Sequence, residues 1–96
     1  MGDHMSVTHS DYGQLSAAQA GGVIRAHDVD LVLSGTFTAT VELQRRGPGG
    51  AWVTVATKSA PTVERHEYAT NADWRVNVTA YTSGTVDYEL SGNERT

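Results

Sequence analysis

The chain has 96 residues, 39% hydrophobic and 19% charged, with 7 Lys and Arg against 11 Asp and Glu for a formal net charge of -4. That length suits one domain with one modest core, and the composition is too apolar for a disordered chain. The acid excess argues against nucleic acid and anionic membrane surfaces as partners, because both need a basic stripe and the only paired basics are Arg45 and Arg46.

No cysteine is present, which removes disulfides, thiolate metal sites and cysteine nucleophiles. No apolar run approaches the ~20 residues of a helical membrane span. No basic segment followed by an apolar stretch marks a signal peptide. Met1-Gly2-Asp3-His4-Met5, with its two methionines, reads as a cloning remnant.

From Met5 to about Ala20 the residues are small and polar, without a wide apolar face, and residues 1–20 are expected to be this remnant and a flexible arm. Gly21-Gly22 ends it, and the folded domain is expected over 21–92. Val29, Leu31 and Leu33 then alternate with Asp28, Asp30 and Val32, the period of a half-buried strand. Phe37, Ala39, Val41 and Leu43 alternate with Thr38, Thr40, Glu42 and Gln44. A helix would scatter those four apolar residues around its circumference.

Arg46-Gly47-Pro48-Gly49-Gly50 has turn composition and joins two patterned segments, so a hairpin is expected, returning over Ala51 to Thr57. Thr62 to Tyr68 carries Glu64, Arg65 and Glu67 and reads as a strand near an edge. Asn71-Ala72-Asp73 is expected to turn. Trp74, Val76, Val78 and Ala80 form the next inward set, out of phase with Tyr81. Thr82-Ser83-Gly84 is a turn, and Val86, Tyr88 and Leu90 are the last inward set before a polar tail from Ser91 to Thr96. About seven short strands with regular turns and no helix predict an all-β fold, an antiparallel β-sandwich or small jelly roll.

Catalytic chemistry finds little support. There is no Gly-x-Ser-x-Gly elbow, and His27 and His66 read as ordinary surface histidines. Asp28 with Asp30, and Glu64 with His66, each supply half of a metal site without further ligands, and read as charges on solvated strand faces. Gly47-Pro48-Gly49-Gly50 lacks the Lys-Ser/Thr ending and following helix of a phosphate loop. No catalytic, cofactor or metal residue is assigned, and an enzyme is not expected. Trp74 is in phase with the core; Trp52 is out of phase with Val53 and Val55, so that either it or the valines face outward or both faces of the hairpin are covered, and Tyr81 is the better candidate for an exposed aromatic.

Gly35-Thr36-Phe37 through Val41-Glu42-Leu43-Gln44-Arg45, then Gly50-Ala51-Trp52-Val53, then Trp74-Arg75-Val76 and Thr79-Ala80-Tyr81-Thr82-Ser83-Gly84-Thr85 follow one another in order. This series resembles small β-sandwich virion proteins of tailed bacteriophages and of prophage or gene-transfer particles, over about Gly35 to Leu90. Many such proteins carry an Asp before the Gly-Gly, where this chain has Pro48 and Gly49. The resemblance implies a non-enzymatic head-decoration or fibre subunit, located in the virion. It also implies homo-oligomerisation and a major capsid or tail protein as partner. Tyr12, Gln14 and Leu15 of the arm, with Trp52 and Tyr81, are the expected partner contacts. The same strand, hairpin and Trp pattern also occurs in immunoglobulin-like and fibronectin-like modules that bind carbohydrates or surfaces.

Overall fold

A computed structural model describes residues 6–95 of the chain; the expected cloning remnant lies outside them. The fold is all-β and antiparallel. The strands are β1 (Ser6–Leu15), β2 (Ile24–Ser34), β3 (Phe37–Arg46), β4 (Trp52–Lys58), β5 (Thr62–Gly84) and β6 (Val86–Arg95). They form one hydrogen-bonded sheet in the order β1-β6-β2-β5-β3-β4. Six strands in one sheet thus stand where about seven in a sandwich or small jelly roll were expected.

The sheet doubles over through β5. Leu33 pairs with Thr62, and Phe37 pairs with Gly84. Only Ser34, Gly35 and Thr36 separate Leu33 from Phe37, a reach of about 14 Å at most. An unbent strand with the 23 residues of β5 would run roughly 75 Å, longer than the molecule's longest dimension of 51 Å. The bend falls beside residues 68–71. Ala26 pairs with Ala72 and Asp28 with Glu67, so these residues face His27 alone across the ladder. Asn71 to Asp73, expected as a turn between strands, instead continues β5 out of this corner, with Ala72 and Asp73 paired to Ala26 and Arg25. The Arg45 guanidinium holds this corner, 3.7 Å from the Tyr68 ring centroid and 5.5 Å from that of Trp74.

Doubling the sheet brings two inner faces onto one core. Val29, Leu31 and Leu33 of β2 and Val86, Tyr88 and Leu90 of β6 come from one half; Val41 and Leu43 of β3 and Trp74, Val76 and Val78 of β5 come from the other. Each set lies in the period-two phase read from the sequence, because alternate side chains of a strand share a face. Trp74 is 0% exposed, and its indole N–H donates to the Ala26 carbonyl at 2.9 Å. A buried indole needs such a partner.

Residues 6–15, expected as a flexible arm, are the edge strand β1, paired with β6 from Ser6↔Arg95 to Leu15↔Val86. The same pairing makes Ser91 to Arg95 of the expected polar tail the second half of β6; Thr96 lies outside the described residues. The link between β1 and β2 crosses to the other half of the sheet. There the Gly21 N–H donates to Val76 O, and the Val78 N–H donates to Gln19 O.

Candidate binding face

The outward face of β1, β6, β2 and the first part of β5 carries side chains in cross-strand rows. Tyr12 pairs with Glu89, Glu89 with Val32, and Val32 with Val63. At the spacing of neighbouring strands this row is about 14 Å wide. Its ends are the most exposed large apolar side chains described: Tyr12 at 75% and Val63 at 79%. Gln14, Asp87 and Ser34 form the row beside it, and Ser10, Ser91, Asp30 and Arg65 the row on the other side. Tyr12, Gln14, Val32, Ser34, Asp87 and Glu89 line a shallow trough of about 560 Å³.

The face is acidic. Asp30, Glu67, Asp87 and Glu89 stand on it, with Arg65 as their cationic neighbour. Arg65 is held at one end: its guanidinium donates to the Asp28 carboxylate and, at 3.4 Å, to Asp30 and Glu67. Asp28 is buried, and its second oxygen accepts the Asn93 backbone N–H at 3.1 Å and the Asn93 amide at 3.3 Å. Burial alone would raise the Asp28 carboxyl; the Asn93 amide hydrogen and the Arg65 charge outweigh it and hold the group below its ordinary value. This cluster clamps β2, β5 and β6 together and leaves the Tyr12 end of the face open.

The expected contact residues separate. Tyr12 and Gln14 meet on this face. Leu15 does not: it is 4% exposed, opposite Val86, in the core. Once residues 6–15 form a strand, Leu15 falls on the inward phase with Asp11 and Gly13. Tyr81 packs against the core and its hydroxyl donates to Gly84 O at 2.7 Å. A bulge explains the reversal. Thr40 pairs with Ala80 but Val41 with Val78, so Thr79 is an extra residue on β5. The alternation slips by one beyond it. Ala80, expected inward, is exposed, and Tyr81 turns in.

Trp52 lies on the opposite side of the molecule, on the outward face of β4 and β3. The Arg46 and Arg75 guanidinium carbons stand 4.5 Å and 4.3 Å from its ring. Arg75 Nε donates to Gln44 Oε1 at 2.8 Å, and Gln44 Nε2 donates to Glu42 at 3.0 Å. Thr54 donates to the same Glu42 oxygen at 2.6 Å. These hydrogen bonds, Thr54 first, hold the Glu42 carboxyl below its ordinary value.

The two half-sites considered for metals are engaged with other groups. Asp28 and Asp30 share Arg65. Glu64 accepts Lys58 Nζ at 2.8 Å, and its other oxygen meets His66 Nε2. Among the described residues no cluster of three or more His, Asp or Glu is placed to hold a metal ion. Comparison with family models, with curated proteins and with solved structures finds no match for this chain.

Proposed function

We propose that this chain is a non-enzymatic structural subunit of a phage-like particle, docking on a neighbouring capsid or tail protein through the Tyr12–Val63 face. One observation carries the docking face. Two large apolar side chains stand almost fully in solvent at the ends of a single cross-strand row, with acidic and amide groups around them. Apolar anchors inside a polar surround are the anatomy of a protein interface. The particle assignment rests on the resemblance of the Gly35–Leu90 strand series to virion proteins. Neither the face nor the cluster beside it holds a nucleophile paired with a base.

The test is co-sedimentation with particles that lack this subunit. Wild-type protein is expected to bind, and Tyr12→Ala with Val63→Asp to lose binding while keeping the wild-type melting temperature. Equal binding by the double variant would overturn the docking face. No binding by wild-type protein would overturn the particle assignment.

A second reading, a carbohydrate- or surface-binding module, is favoured by Trp52 with Arg46, Arg75 and the Glu42–Gln44–Thr54 network around it. Aromatic rings beside fixed polar groups suit sugar rings. Glycan-array binding lost on Trp52→Ala would select this reading.

A further inference from the structure

We infer that two copies of this chain pair antiparallel along the outer edges of β1, about a two-fold axis at Ser10, joining two sheets into one. The terminal strands of the sheet are β1 and β4, and the first part of β5, paired with β2 alone, is a further edge that Glu64, Arg65 and Glu67 blunt with charge. A terminal strand presents unpaired N–H and C=O groups that template another strand unless something blunts it. β4 is blunted. It has 7 residues, a bulge where Leu43 pairs with Ala56 but Gln44 with Thr54, and Lys58 at its end. β1 has none of these devices. It runs 10 residues with no register shift against β6, and contains no Pro, Lys or Arg. Among the described residues the one strand paired with it is β6.

The sequence of β1 specifies a second copy as the occupant. Two-fold antiparallel pairing sets residue i opposite residue j with a constant sum, both on the same face of the joined sheet. Centring on His9 sets two imidazoles face to face. Centring on Asp11 sets two carboxylates face to face, and centring on Tyr12 sets His9 against the buried Leu15. Centring on Ser10 sets His9 opposite Asp11 of the second copy, Thr8 opposite Tyr12, and Val7 opposite Gly13.

Among the described residues, each side chain of the His9–Asp11 pair keeps one polar atom without a hydrogen-bond partner. Asp11 accepts both the Tyr88 hydroxyl and the Gly22 N–H on Oδ2, which leaves Oδ1. His9 meets Glu94 through Nε2, which leaves Nδ1. The two-fold axis forms this pair twice.

The joined sheet would set two Tyr12–Val63 faces on the same side of one assembly, so that a lattice of partners is met bivalently. Tyr12 lies in this seam, opposite Thr8 of the second copy, but light scattering and cross-linking read the dimer without any other partner and so test it apart from the docking reading.

The absence of cysteine makes the test direct. Residues opposite each other in an antiparallel pair lie about 4.5–5.5 Å apart at Cα, within disulfide range. Oxidised Ser10→Cys is expected to give a covalent dimer, and Thr57→Cys on the β4 edge to stay uncrosslinked. Light scattering is expected to show a dimer for the wild-type protein. His9→Asp, which sets two carboxylates opposite each other, is expected to weaken it about fivefold with the circular dichroism spectrum unchanged. A wild-type monomer at every concentration reached would overturn the inference. So would cross-linking of Thr57→Cys as fast as Ser10→Cys.

Discussion

The Tyr88 hydroxyl donates a 2.6 Å hydrogen bond to Asp11 Oδ2, and the same oxygen accepts the Gly22 N–H at 2.8 Å. One carboxylate thus ties together β1, β6 and the link that crosses to the other half of the sheet. The packing is close: a Cβ on Gly21 would lie 2.5 Å from the Tyr88 hydroxyl oxygen. This junction holds β1, an edge strand with few apolar residues, on the body of the protein.

Burial, followed by the Asp11 hydrogen bond and charge, pushes the Tyr88 hydroxyl from 10.0 up to about 12. A group whose pKa is raised on folding stabilises the protein fully below its unfolded pKa. That stability is lost as pH rises through the folded value. The wild-type protein is therefore expected to lose stability between pH 10 and about 12. Tyr88→Phe should flatten that part of the curve, as measured by denaturant melts across alkaline pH. An unchanged slope in Tyr88→Phe would refute the coupling.

Asp28 gives the opposite pH dependence. Its carboxyl is held below the ordinary 3.8, so its contribution is present above that pH and lost as pH falls through the lower, folded value. Asp28→Ala is expected to cost about 1–3 kcal/mol near neutrality. It should also make the acid limb of the stability curve shallower. Denaturant titration at neutral and acid pH measures both.

Trp74 fills the corner where β5 bends, fully buried and hydrogen-bonded to Ala26. Trp74→Ala is expected to cost about 3–5 kcal/mol, much of the stability of a domain this size. Trp52→Ala, from a half-buried position on the outward face, should cost clearly less. Equal losses in thermal melts would contradict the assignment of the two faces.

Gly92 of β6 pairs with Val29 of β2. A Cβ there would lie 2.2 Å from Asp28 O and 2.7 Å from the Ala26 Cβ. Both neighbours are interior atoms of β2 and cannot step aside. Gly92→Ala is expected to destabilise by about 1–3 kcal/mol or more. Gly49→Ala, at a hairpin tip with nothing within 4 Å and φ of 77°, meets only backbone strain and should cost less. Comparing their thermal midpoints tests this.

Alternation of apolar and polar residues is enough to read the all-β class and most of the core. Val41 to Leu43, Trp74 to Val78 and Val86 to Leu90 alternate strictly, Val29 to Leu33 does so except for Val32, and a strand with one solvated face buries only alternate residues. The remainder rests on contacts between strands distant in the chain, in three ways. The inward face of β1 is His9, Asp11, Gly13 and Leu15, too polar to signal a strand; its pairing with β6 and the ring of Tyr88 supply what that face lacks. Bulges add a residue without marking the composition, so Tyr81 and Ala80 exchange faces across Thr79. The bend in β5 depends on Thr62 and Gly84 meeting opposite ends of the short link between β2 and β3, a constraint that no local window contains. Tyr12 and Gln14 therefore became a face, and Leu15 part of the core, only when β1 took its place beside β6.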